Sequence, residues 1–330
     1  MSSGFERLST VFLLHGGGHE GAGEDVTYEP EAHTAQQEQG PLLELAGDWT
    51  FGSFSEHLKA LDTFPGYSPA FPVYRRYRRW GLESAALDLA LRQAGLALHE
   101  ALDREPRPVT FVVSLRLGEP STLAPVQRRL ALYPGLRFKL DPTSDWDDEL
   151  VAGLVATGAV DSVDLKGLYE GSPVDQGADP ELYRRVAEAF PEAWIEDPKL
   201  TPETDPILAP HRDRITWDAN IHSVADIEAL PFPPRMVNIK PSRLGPLRSL
   251  FGAYDWCAER GIRSYGGGQF ELGPGRGQIQ YLASLLHPDT PNDVAPGGYN
   301  DPEPRPGLPS SPLEPAPSAT GFRWGDWAER

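Results

Sequence analysis

The sequence predicts an α/β fold, a TIM-type (β/α) barrel that follows a small α+β capping domain. From about residue 108 onwards, short runs rich in β-forming residues alternate with helical patterns, which indicates right-handed βαβ units and a parallel sheet. The alternation occurs eight times over about 190 residues, and eight consecutive units favour a closed barrel over an open sheet. A turn-rich segment and one long helical pattern stand before the first unit and predict the separate cap.

The amino-terminal part supplies the predicted cap, residues 1–105, including a helix that links it to the barrel. Residues 1 to about 72 are rich in Gly, Glu and turn signals, and they contain one clear strand, STVFLLH, and one short helix around SFSEHLKAL. Residues 80–102 are predicted to form the linking helix, because their leucines recur near helical spacing and their alanines have high helix propensity.

The barrel is predicted over residues 106–300. Its strands, in chain order, are TFVVSL, LRFKL, VDSVDL, AWIED, ITWDA, MVNIK, IRSYGG and the weak PNDVAP. Helical patterns follow the first seven strands, among them TLAPVQRRLAL, DDELVAGLVATG, PELYRRVAEAF and GRGQIQYLASLL. The last segment, residues 301–330, is dense in Pro and Ser. It is expected to build no core and to run as an extended arm over the surface.

The composition excludes several functions. The formal net charge is −18, and so acidic a surface repels nucleic-acid phosphates and anionic membranes. The single cysteine, Cys257, allows no internal disulfide and no thiolate zinc site. The one basic cluster, YRRYRRW at residues 74–80, is interpreted as solvated arginines that balance local acid. Without a signal peptide or a membrane-spanning apolar run, we expect a cytoplasmic protein with a small-molecule partner, and a homo-oligomer is an open possibility.

Charged residues stand at the carboxyl ends of five predicted strands, about one βα unit apart: Lys139, Asp164, Glu196, Asp218 and Lys240. Such positions point into one mouth of a barrel, where barrel enzymes carry out their chemistry. Three carboxylates brought together repel one another by about 4 kcal/mol per pair at ~4 Å with an effective dielectric of ~20. A divalent cation is the simplest partner for them, and oxygen ligands without His or Cys favour Mg²⁺ over Zn²⁺.

The two lysines lie on the second and sixth predicted strands, which face each other across an eight-stranded ring. A substrate held between them could lose a proton to one amine and meet the other on its opposite face. A nearby cation and partial burial lower a lysine pKa towards the range useful for a base. The pattern therefore predicts proton abstraction, and ordinary charges on a barrel rim are the alternative interpretation.

Several motifs resemble those of the enolase superfamily, in its muconate-lactonizing and o-succinylbenzoate synthase-like branch. RFK at residues 137–139 is similar to the K/R-x-K of the second strand, WIEDP at residues 194–198 to I-E-Q/D-P, and NIKPSRLG at residues 238–245 to N-x-K-P-S-R-x-G. The helix ESAALDLALRQAGLALHEAL resembles the link from the family's cap to its barrel, and GAGED at residues 21–25 resembles the mobile G-x-G-E loop of the cap. The match covers most of residues 10–290.

The resemblance implies the roles of the charged residues. Asp164, Glu196 and Asp218 would bind Mg²⁺, and Lys139 and Lys240 would form the acid/base pair. The chain would then be a lyase or an isomerase that removes the proton α to a carboxylate and gives a metal-stabilised enediolate, as this superfamily does with a Lys or His base.

Substrate binding is predicted at three further residues, Arg137, Gln269 and Glu271. Arg137 opens the second-strand motif, whereas Gln269 ends the glycine-rich GGGQ segment after the seventh strand and Glu271 stands between that segment and GPGRG, beside the mouth. Backbone amides of such segments at the start of a helix can bind an anion, here a substrate carboxylate. A tight turn without a ligand explains these glycines equally well.

The sequence also departs from the family pattern. DLK at residues 164–166 stands where the family has D-x-N, with Asp161 as an alternative ligand, and DAN at residues 218–220 replaces D-E-S. Two hypotheses follow: an enzyme that dehydrates, racemises or epimerises a small carboxylate, or a barrel that binds metal and a carboxylate without turnover. HGGG at residues 15–18 resembles the oxyanion loop of α/β hydrolases, but the chain contains no G-x-S-x-G.

Overall fold

The computed structural model describes residues 7–41, 43–169, 171 and 174–328. Its amino-terminal part consists of a two-stranded hairpin and three helices. These elements are β1 Thr10–Gly16, β2 His19–Asp25, α1 Pro30–Gln39, α2 Phe51–Ala60 and α3 Val73–Ala94. The strands are antiparallel, and the chain turns between them at Gly17 and Gly18, which both have positive φ. The HGGG segment is therefore the turn of a hairpin.

Strand β2 contains the GAGED segment and packs directly against helix α3. A Cβ atom at Gly21 would overlap the carbonyl oxygen of Ala85, and one at Gly23 would overlap that of Gly81. Because only glycine allows the two backbones to approach so closely, these glycines serve packing. The segment is a largely buried strand in the structure rather than a loop.

The basic cluster at the start of α3 was interpreted as solvated arginines, but one of its arginines is buried. Arg78 is 1% exposed, and its Nε donates to Asp25 Oδ2 at 2.8 Å. Its guanidinium group also lies 3.5 Å from the centre of the Phe64 ring, an arrangement that favours stacking of a cation on an aromatic face. The interpretation was wrong for Arg78, which belongs to the core of the cap.

The linking helix predicted over residues 80–102 is interrupted. Helix α3 ends at Gly95, which has φ 69°, and a short helix α4, Leu98–Ala101, follows. A left-handed residue at the end of a helix is most often glycine, because a side chain there is strained. Helix α3 thus begins seven residues before the predicted start and ends eight residues before the predicted end, and a separate turn of helix follows.

The second part of the chain is an α/β structure with parallel strands, as predicted. Five strands form one sheet: β3 Val113–Leu115, β4 Phe138–Leu140, β5 Val160–Asp164, β6 Trp194–Glu196 and β7 Ile215–Thr216. Two more, β8 Met236–Ile239 and β9 Arg263–Gly266, form a second parallel pair. The predicted eighth strand, PNDVAP, contributes only isolated bridges, from Asn292 to Phe111 and from Asp293 to Gly267.

Single backbone hydrogen bonds connect these groups of strands. Asn238 N donates to Trp217 O at 3.0 Å, which links the segment after β7 to β8. Asp293 N donates to Gly266 O at 2.8 Å, and Val112 N donates to Asn292 O at 2.9 Å, which links β9 through residues 292 and 293 to the segment before β3.

Helices follow the strands in the predicted alternation. They are α5 Ala124–Leu132, α6 Asp148–Thr157, α7 Pro180–Ala189, α8 Asp205–Leu208, the 3₁₀ helix Ala209–Arg214, α9 Val224–Glu228, α10 Pro241–Leu244, α11 Leu247–Glu259 and α12 Pro274–Leu286, with a last 3₁₀ helix at Gly325–Trp327. Three of them start at a side-chain cap: Asp147 accepts from Leu150 N, Asp179 accepts from Leu182 N, and Ser223 accepts from Asp226 N. None of these helices or the earlier ones combines the length and the apolar character that crossing a membrane requires.

The carboxyl-terminal segment was expected to contribute nothing to the core, and this was wrong for its end. Phe322 and Trp324 are buried in the main hydrophobic cluster, which also contains residues of the parallel strands. Between them, Arg323 is 1% exposed and pairs with Asp88 of α3 at 2.8 Å. Residues 301–307 are mostly exposed turns. Cys257 is a buried, unpaired cysteine, as expected for a residue of the core.

Candidate active site

Two of the predicted metal ligands lie side by side at the carboxyl ends of neighbouring strands. Asp164, the last residue of β5, is directly paired with Glu196, the last residue of β6. Both side chains are fully buried. Asp197 joins them, and one carboxylate oxygen from each of the three residues lies within 4.8 Å of the others. The described residues thus contain a compact group of three acids at the predicted edge of the sheet.

Lys139 of β4 lies against this acidic group. Its Nζ is 2.8 Å from Glu196 Oε1, 3.4 Å from Asp164 Oδ2 and 3.1 Å from Asp293 Oδ2. The side chain is 2% exposed. An ammonium group so deeply buried needs negative partners close by, and the strand ends supply three.

Asp218 lies beside the group of three acids rather than in it. Its carboxylate pairs with Lys240 Nζ at 2.6 Å and with Arg243 Nη1 at 2.7 Å, and it accepts from Tyr169 OH at 2.9 Å. Asp218 N and Ala219 N in turn donate to the carboxylate of Asp197, at 2.8 and 2.9 Å. The structure therefore brings Asp164 and Glu196 together, but Asp197 is the third acid next to them.

Asp197 was absent from the predicted ligands, and its backbone explains why. On a regular strand, the residue after Glu196 would point to the opposite face. Asp197 instead has φ 48°, a left-handed conformation that ends the strand and turns the side chain back. Strand alternation cannot anticipate such a turn.

The charges in this region shift one another's pKa. Burial opposes the ionisation of Asp164, but Lys166 and Lys139 outweigh it and lower the pKa to about 2. Burial raises the pKa of Glu196 well above its usual range, although Lys139 counteracts it. Burial and the neighbouring Asp218 raise the pKa of Asp197 to about 7. Neighbouring acids crowded into one buried space thus differ widely in their affinity for protons.

Lys139 and Asp218 each owe their charged state to their partners. Burial alone would lower the pKa of Lys139, but the surrounding carboxylates, Glu196 first among them, hold it well above its ordinary value. For Asp218, burial disfavours the charge, and Arg243 and Lys240 nevertheless keep its pKa below the usual range. Each ion is stabilised by the opposite charge beside it.

Further residues complete the site. Tyr265 of β9 donates its hydroxyl hydrogen to Glu196 Oε2, and Asp141, directly after β4, lies 3.8 Å from Lys166. The ten charged residues of this region are called the mouth cluster below. They are Asp141, Asp164, Glu196, Asp197, Asp218 and Asp293, with the cations Lys139, Lys166, Lys240 and Arg243.

Some of these residues could have been found from the sequence. Tyr265 stands directly before the GGG run on the predicted seventh strand, and Asp293 stands in the weak eighth strand. Lys166 lies in a loop and Arg243 lies in the four-residue helix α10, and neither segment is long enough for periodicity to indicate a direction.

Arg137 lies outside the candidate site, contrary to its predicted substrate contact. It pairs with Asp161 through Nε at 2.9 Å and also donates to Gly158 O. Both partners belong to the amino end of β5, opposite the mouth. Asp161 is engaged by this pair, which corrects its role as an alternative metal ligand. Arg137 stands directly before β4 and pairs with Asp161 near the start of β5, whereas Lys139 lies in β4 and contacts Asp164 at the end of β5.

Gln269 and Glu271 lie where the amino-terminal part meets the part with parallel strands. Tyr28 OH donates to Gln269 Oε1 at 2.8 Å, and Glu271 accepts from Gln269 N at 2.7 Å. Both side chains are buried, at 4% and 7% exposure, and Gln269 Nε2 has no hydrogen-bond partner among the described residues. This amide group is available for a ligand between the two parts.

The glycine-rich start of α12 binds an anion, but that anion is part of the chain. Glu24 of β2 accepts from Leu272 N at 2.7 Å, from Gly273 N at 2.9 Å and from Gly275 N at 3.0 Å. A carboxylate at a helix amino terminus satisfies amides that lack partners within the helix. The GPGRG amides are therefore occupied by the capping part, and the predicted substrate carboxylate at this position is corrected.

The donor set of the mouth cluster fits a hard divalent cation. Asp164, Glu196 and Asp197 offer only oxygen atoms, from buried side chains that already lie close together. Carboxylate oxygens without His or Cys are the ligands that Mg²⁺ prefers. The residues present thus suit the metal that the sequence predicts.

Known proteins share both the sequence pattern and the fold. The C-terminal domain of DUF8230, described as a domain of unknown function, matches residues 105–301, and its N-terminal domain matches residues 1–101. The o-succinylbenzoate synthase of Bacillus subtilis (strain 168) is 28% identical over 67% of this chain and 59% of its own length. That of Geobacillus stearothermophilus is 26% identical over 65% of this chain and 57% of its own length. The chain thus spans less than two thirds of these relatives.

Solved structures of the enolase superfamily share the fold. A member from Listeria innocua superimposes with a TM-score of 0.65 at 20% identity, over 86% of this chain and 77% of its own. Muconate cycloisomerase from Pseudomonas fluorescens superimposes with a TM-score of 0.63 at 19% identity, over 88% of this chain and 83% of its own. A dipeptide epimerase from Methylococcus capsulatus, complexed with Mg ion, superimposes with a TM-score of 0.62 at 22% identity, over 87% of this chain and 88% of its own. The resemblance to the enolase superfamily and to this branch is confirmed.

Proposed function

Because the chain belongs to the DUF8230 family and shares the fold of enolase-type enzymes, we propose that it is an Mg²⁺-dependent lyase or isomerase. It removes the proton α to the carboxylate of a small molecule. The reaction is completed by loss of water, as in o-succinylbenzoate synthesis, or by return of the proton in a racemisation or epimerisation. The substrate class is a small carboxylate, and the cytoplasm is its expected location.

One observation carries this proposal: two buried lysines contact neighbouring carboxylates from different strands. Lys139 lies in the second predicted strand and is 2.8 Å from Glu196, whereas Lys240 ends the sixth and is 2.6 Å from Asp218. An ordinary rim charge would be exposed, but these ammonium groups are 2% and 8% exposed. Burying two lysines beside clustered acids is costly for folding alone and serves acid–base chemistry well.

We also infer that the strands close into a barrel. The backbone bonds from Asn238 to Trp217, from Asp293 to Gly266 and from Val112 to Asn292 join the two sheets at both edges. Residues 292 and 293 then take the place of the eighth strand. A closed ring places Lys139 and Lys240 on opposite sides of the mouth.

Asp164 and Glu196 would hold the metal ion, together with Asp197, which the geometry favours, or Asp218, which the resemblance favours. When bound, Mg²⁺ supplies a Lewis acid that stabilises the negative charge on the substrate carboxylate as the α-proton leaves. Lys139 Nζ and Lys240 Nζ accept and donate that proton from opposite sides. Arg243 and Tyr169 hold Asp218 in place, and Tyr265 holds Glu196.

Substrate selectivity is assigned to the contact between the capping part and the barrel. Gln269 presents its amide group there, next to Tyr28 and Glu271. These polar groups are buried, so a substrate that satisfies them is favoured over one that leaves them unpaired. Nucleic acids and membranes are not expected as partners because of the net charge, and the oligomeric state stays a prediction.

Hydrogen exchange tests the proposal. The purified protein is incubated with Mg²⁺ in deuterated water with a panel of small carboxylates, and α-deuterium incorporation is followed by NMR. Lys139→Ala and Lys240→Ala should each lower the exchange rate by about 10²–10⁴-fold, the contribution of a placed acid or base. Lys59→Ala is the control, because Lys59 is exposed and far from the acids in sequence. Exchange that survives both site changes would contradict the mechanism.

One observation favours a second candidate, a barrel that binds metal and a carboxylate without turnover. Lys166 pairs with Asp164, at the position where the D-x-N pattern of the enolase superfamily has an uncharged asparagine. Calorimetry that detects Mg²⁺-dependent binding of a carboxylate, together with no exchange across a broad panel, would support this candidate. Any turnover that depends on Lys139 or Lys240 would exclude it.

A further inference from the structure

Lys166 occupies a defined place on the acidic group. It lies two residues after Asp164, and its Nζ forms an ion pair with Asp164 Oδ2. The same ammonium is 3.8 Å from Asp141 Oδ1 and 5.0 Å from the centre of the Tyr169 ring. The side chain is 13% exposed. A surface lysine rarely gathers two carboxylates and an aromatic ring around a nearly buried amine.

The backbone fixes this position. Lys166 has φ 52°, a left-handed conformation that is strained for a residue with a side chain. Its N–H donates to Asp164 Oδ1 at 3.1 Å, and Gly167 N donates to Asp197 O at 3.0 Å. A Cβ atom at Gly167 would lie 2.6 Å from Lys199 N, so the turn packs tightly. The lysine is therefore held on Asp164 by its own loop.

We propose that Lys166 is an internal counter-cation that competes with a divalent metal ion for Asp164 and thereby weakens metal binding. This inference rests on the proposed metal site. An ammonium ion and a dication that share one carboxylate repel each other strongly in a buried site, where screening is weak. Metal binding at Asp164 must therefore displace Lys166 or bear the repulsion.

The arrangement has a second consequence. Without a dication, Asp164 and Asp141 keep a cation between them, so the acidic group is balanced while no metal is bound. Lys139 also contacts Asp164, at 3.4 Å, but it lies closer to Glu196 and is assigned to the acid–base pair. Lys166 has no such role, and it can be changed without removing either proposed catalytic lysine.

Isothermal titration calorimetry of the full chain with Mg²⁺ and Mn²⁺ tests the inference. Lys166→Met and Lys166→Asn remove the competing charge, and we expect them to bind either metal tighter by about 10–100-fold, the range typical of residues next to metal ligands. Lys166→Arg keeps the charge and should bind as the unchanged chain does. Lys59→Met, which removes one exposed charge elsewhere, controls for net charge.

Melting temperatures provide an independent readout. In metal-free buffer, Lys166→Met should melt below the unchanged chain, because Asp164 and Asp141 lose their cation. Saturating Mg²⁺ should raise its melting temperature more than it raises that of the unchanged chain. A ligand that binds the folded chain at a given concentration stabilises it more when its dissociation constant is smaller. Lys166→Asn repeats the comparison if the methionine variant folds poorly.

The outcomes separate this inference from the proposed function. If the unchanged chain binds Mg²⁺ and the neutral variants bind it no better, the competition is refuted while the metal site stands. If the neutral variants bind more weakly, Lys166 supports the ligands rather than competing with the metal, and the inference is again refuted. If neither form binds a divalent metal, both the inference and the proposed metal site fail.

Discussion

Two buried ionic regions of the molecule differ in how their charges are matched. The first, called the clasp here, consists of Asp25 with Arg78 and Asp88 with Arg323. It joins β2, α3 and the carboxyl-terminal segment. The second is the mouth cluster, in which six carboxylates meet four cations. The clasp has one cation for each acid, whereas the mouth cluster has a formal excess of two negative charges, the charge that one divalent cation would balance.

The hydrogen bonds show the same contrast. In the clasp, Asp88 accepts from Ala22 N, Phe322 N and Arg323 Nε, each at 2.8 Å, so its oxygens have fixed protein partners. In the mouth cluster, Asp164 and Glu196 share Lys139. Fixed, matched pairs hold parts of a fold together, whereas shared and crowded acids suit an exchangeable ligand. Neutralising an acid should therefore lower the free energy of unfolding in the clasp and raise it in the mouth cluster.

The largest expected effect lies in the clasp. Asp88→Ala leaves Arg323 buried without its partner, and we expect the free energy of unfolding to fall by about 3–5 kcal/mol. Urea denaturation measures the change. Asp62→Ala is the matched control, because Asp62 forms a salt bridge with Arg75 that is roughly half exposed and should be worth about 0–1 kcal/mol. Equal effects for Asp88 and Asp62 would contradict the contrast.

Neutralising Asp141 in the mouth cluster is expected to raise the free energy of unfolding rather than lower it. Burial raises the pKa of Asp141 to about 6 although Lys166 counteracts it. The folded chain therefore binds this proton more tightly than the unfolded chain, and stability is lost as the pH rises from about 4 to about 6. At pH ~7 Asp141→Asn should raise the free energy of unfolding by on the order of 1–3 kcal/mol.

The gain from Asp141→Asn should disappear near pH ~3, below the ordinary aspartate pKa of about 3.9, where Asp141 is mostly protonated in both the folded and the unfolded chain. Urea denaturation at the two pH values, without divalent metal, makes the comparison. A loss of stability at neutral pH would show that Asp141 acts as a matched structural acid, like those of the clasp.

The smallest effect is expected between the two regions, at Glu24. Its carboxylate accepts from three amides at the start of α12, and Glu24→Gln replaces one accepting oxygen with an amide nitrogen that cannot accept. We expect a loss of about 1–2 kcal/mol, as for the removal of a helix cap. Thermal unfolding measures this, and calorimetry should find Mg²⁺ binding little changed. A large loss of metal affinity would instead assign Glu24 to the site.

The sequence predicted the parts of the site that regular strands position. Lys139, Asp164 and Glu196 end strands whose alternation and spacing are clear, and the structure places them together. Lys240 follows its strand in a similar way. The motifs at residues 194–198 and 238–245 indicated the resemblance to the enolase superfamily, which the spacing of the charged residues alone could not indicate.

Other features depend on conformations that no periodicity reveals. Asp197 and Lys166 reach the acids through left-handed backbone conformations, and Glu24 reaches α12 from 248 residues away in the chain. The Pro-rich composition of the last segment concealed Phe322, which packs in the core. Arg137 shares a motif with Lys139, but it pairs with Asp161 near the start of β5, whereas Lys139 contacts Asp164 at the end of that strand.

The most direct test of the central claim is to locate the metal ion. Crystals of the full chain soaked in Mn²⁺, a substitute for Mg²⁺ with the same preference for oxygen ligands, would give an anomalous peak at the ion. We expect the peak to lie between Lys139 and Lys240, within bonding distance of Asp164, Glu196 and a third carboxylate, that of Asp197 or Asp218. A peak elsewhere, or none at Asp164 and Glu196 while the ion binds in solution, would contradict the central claim.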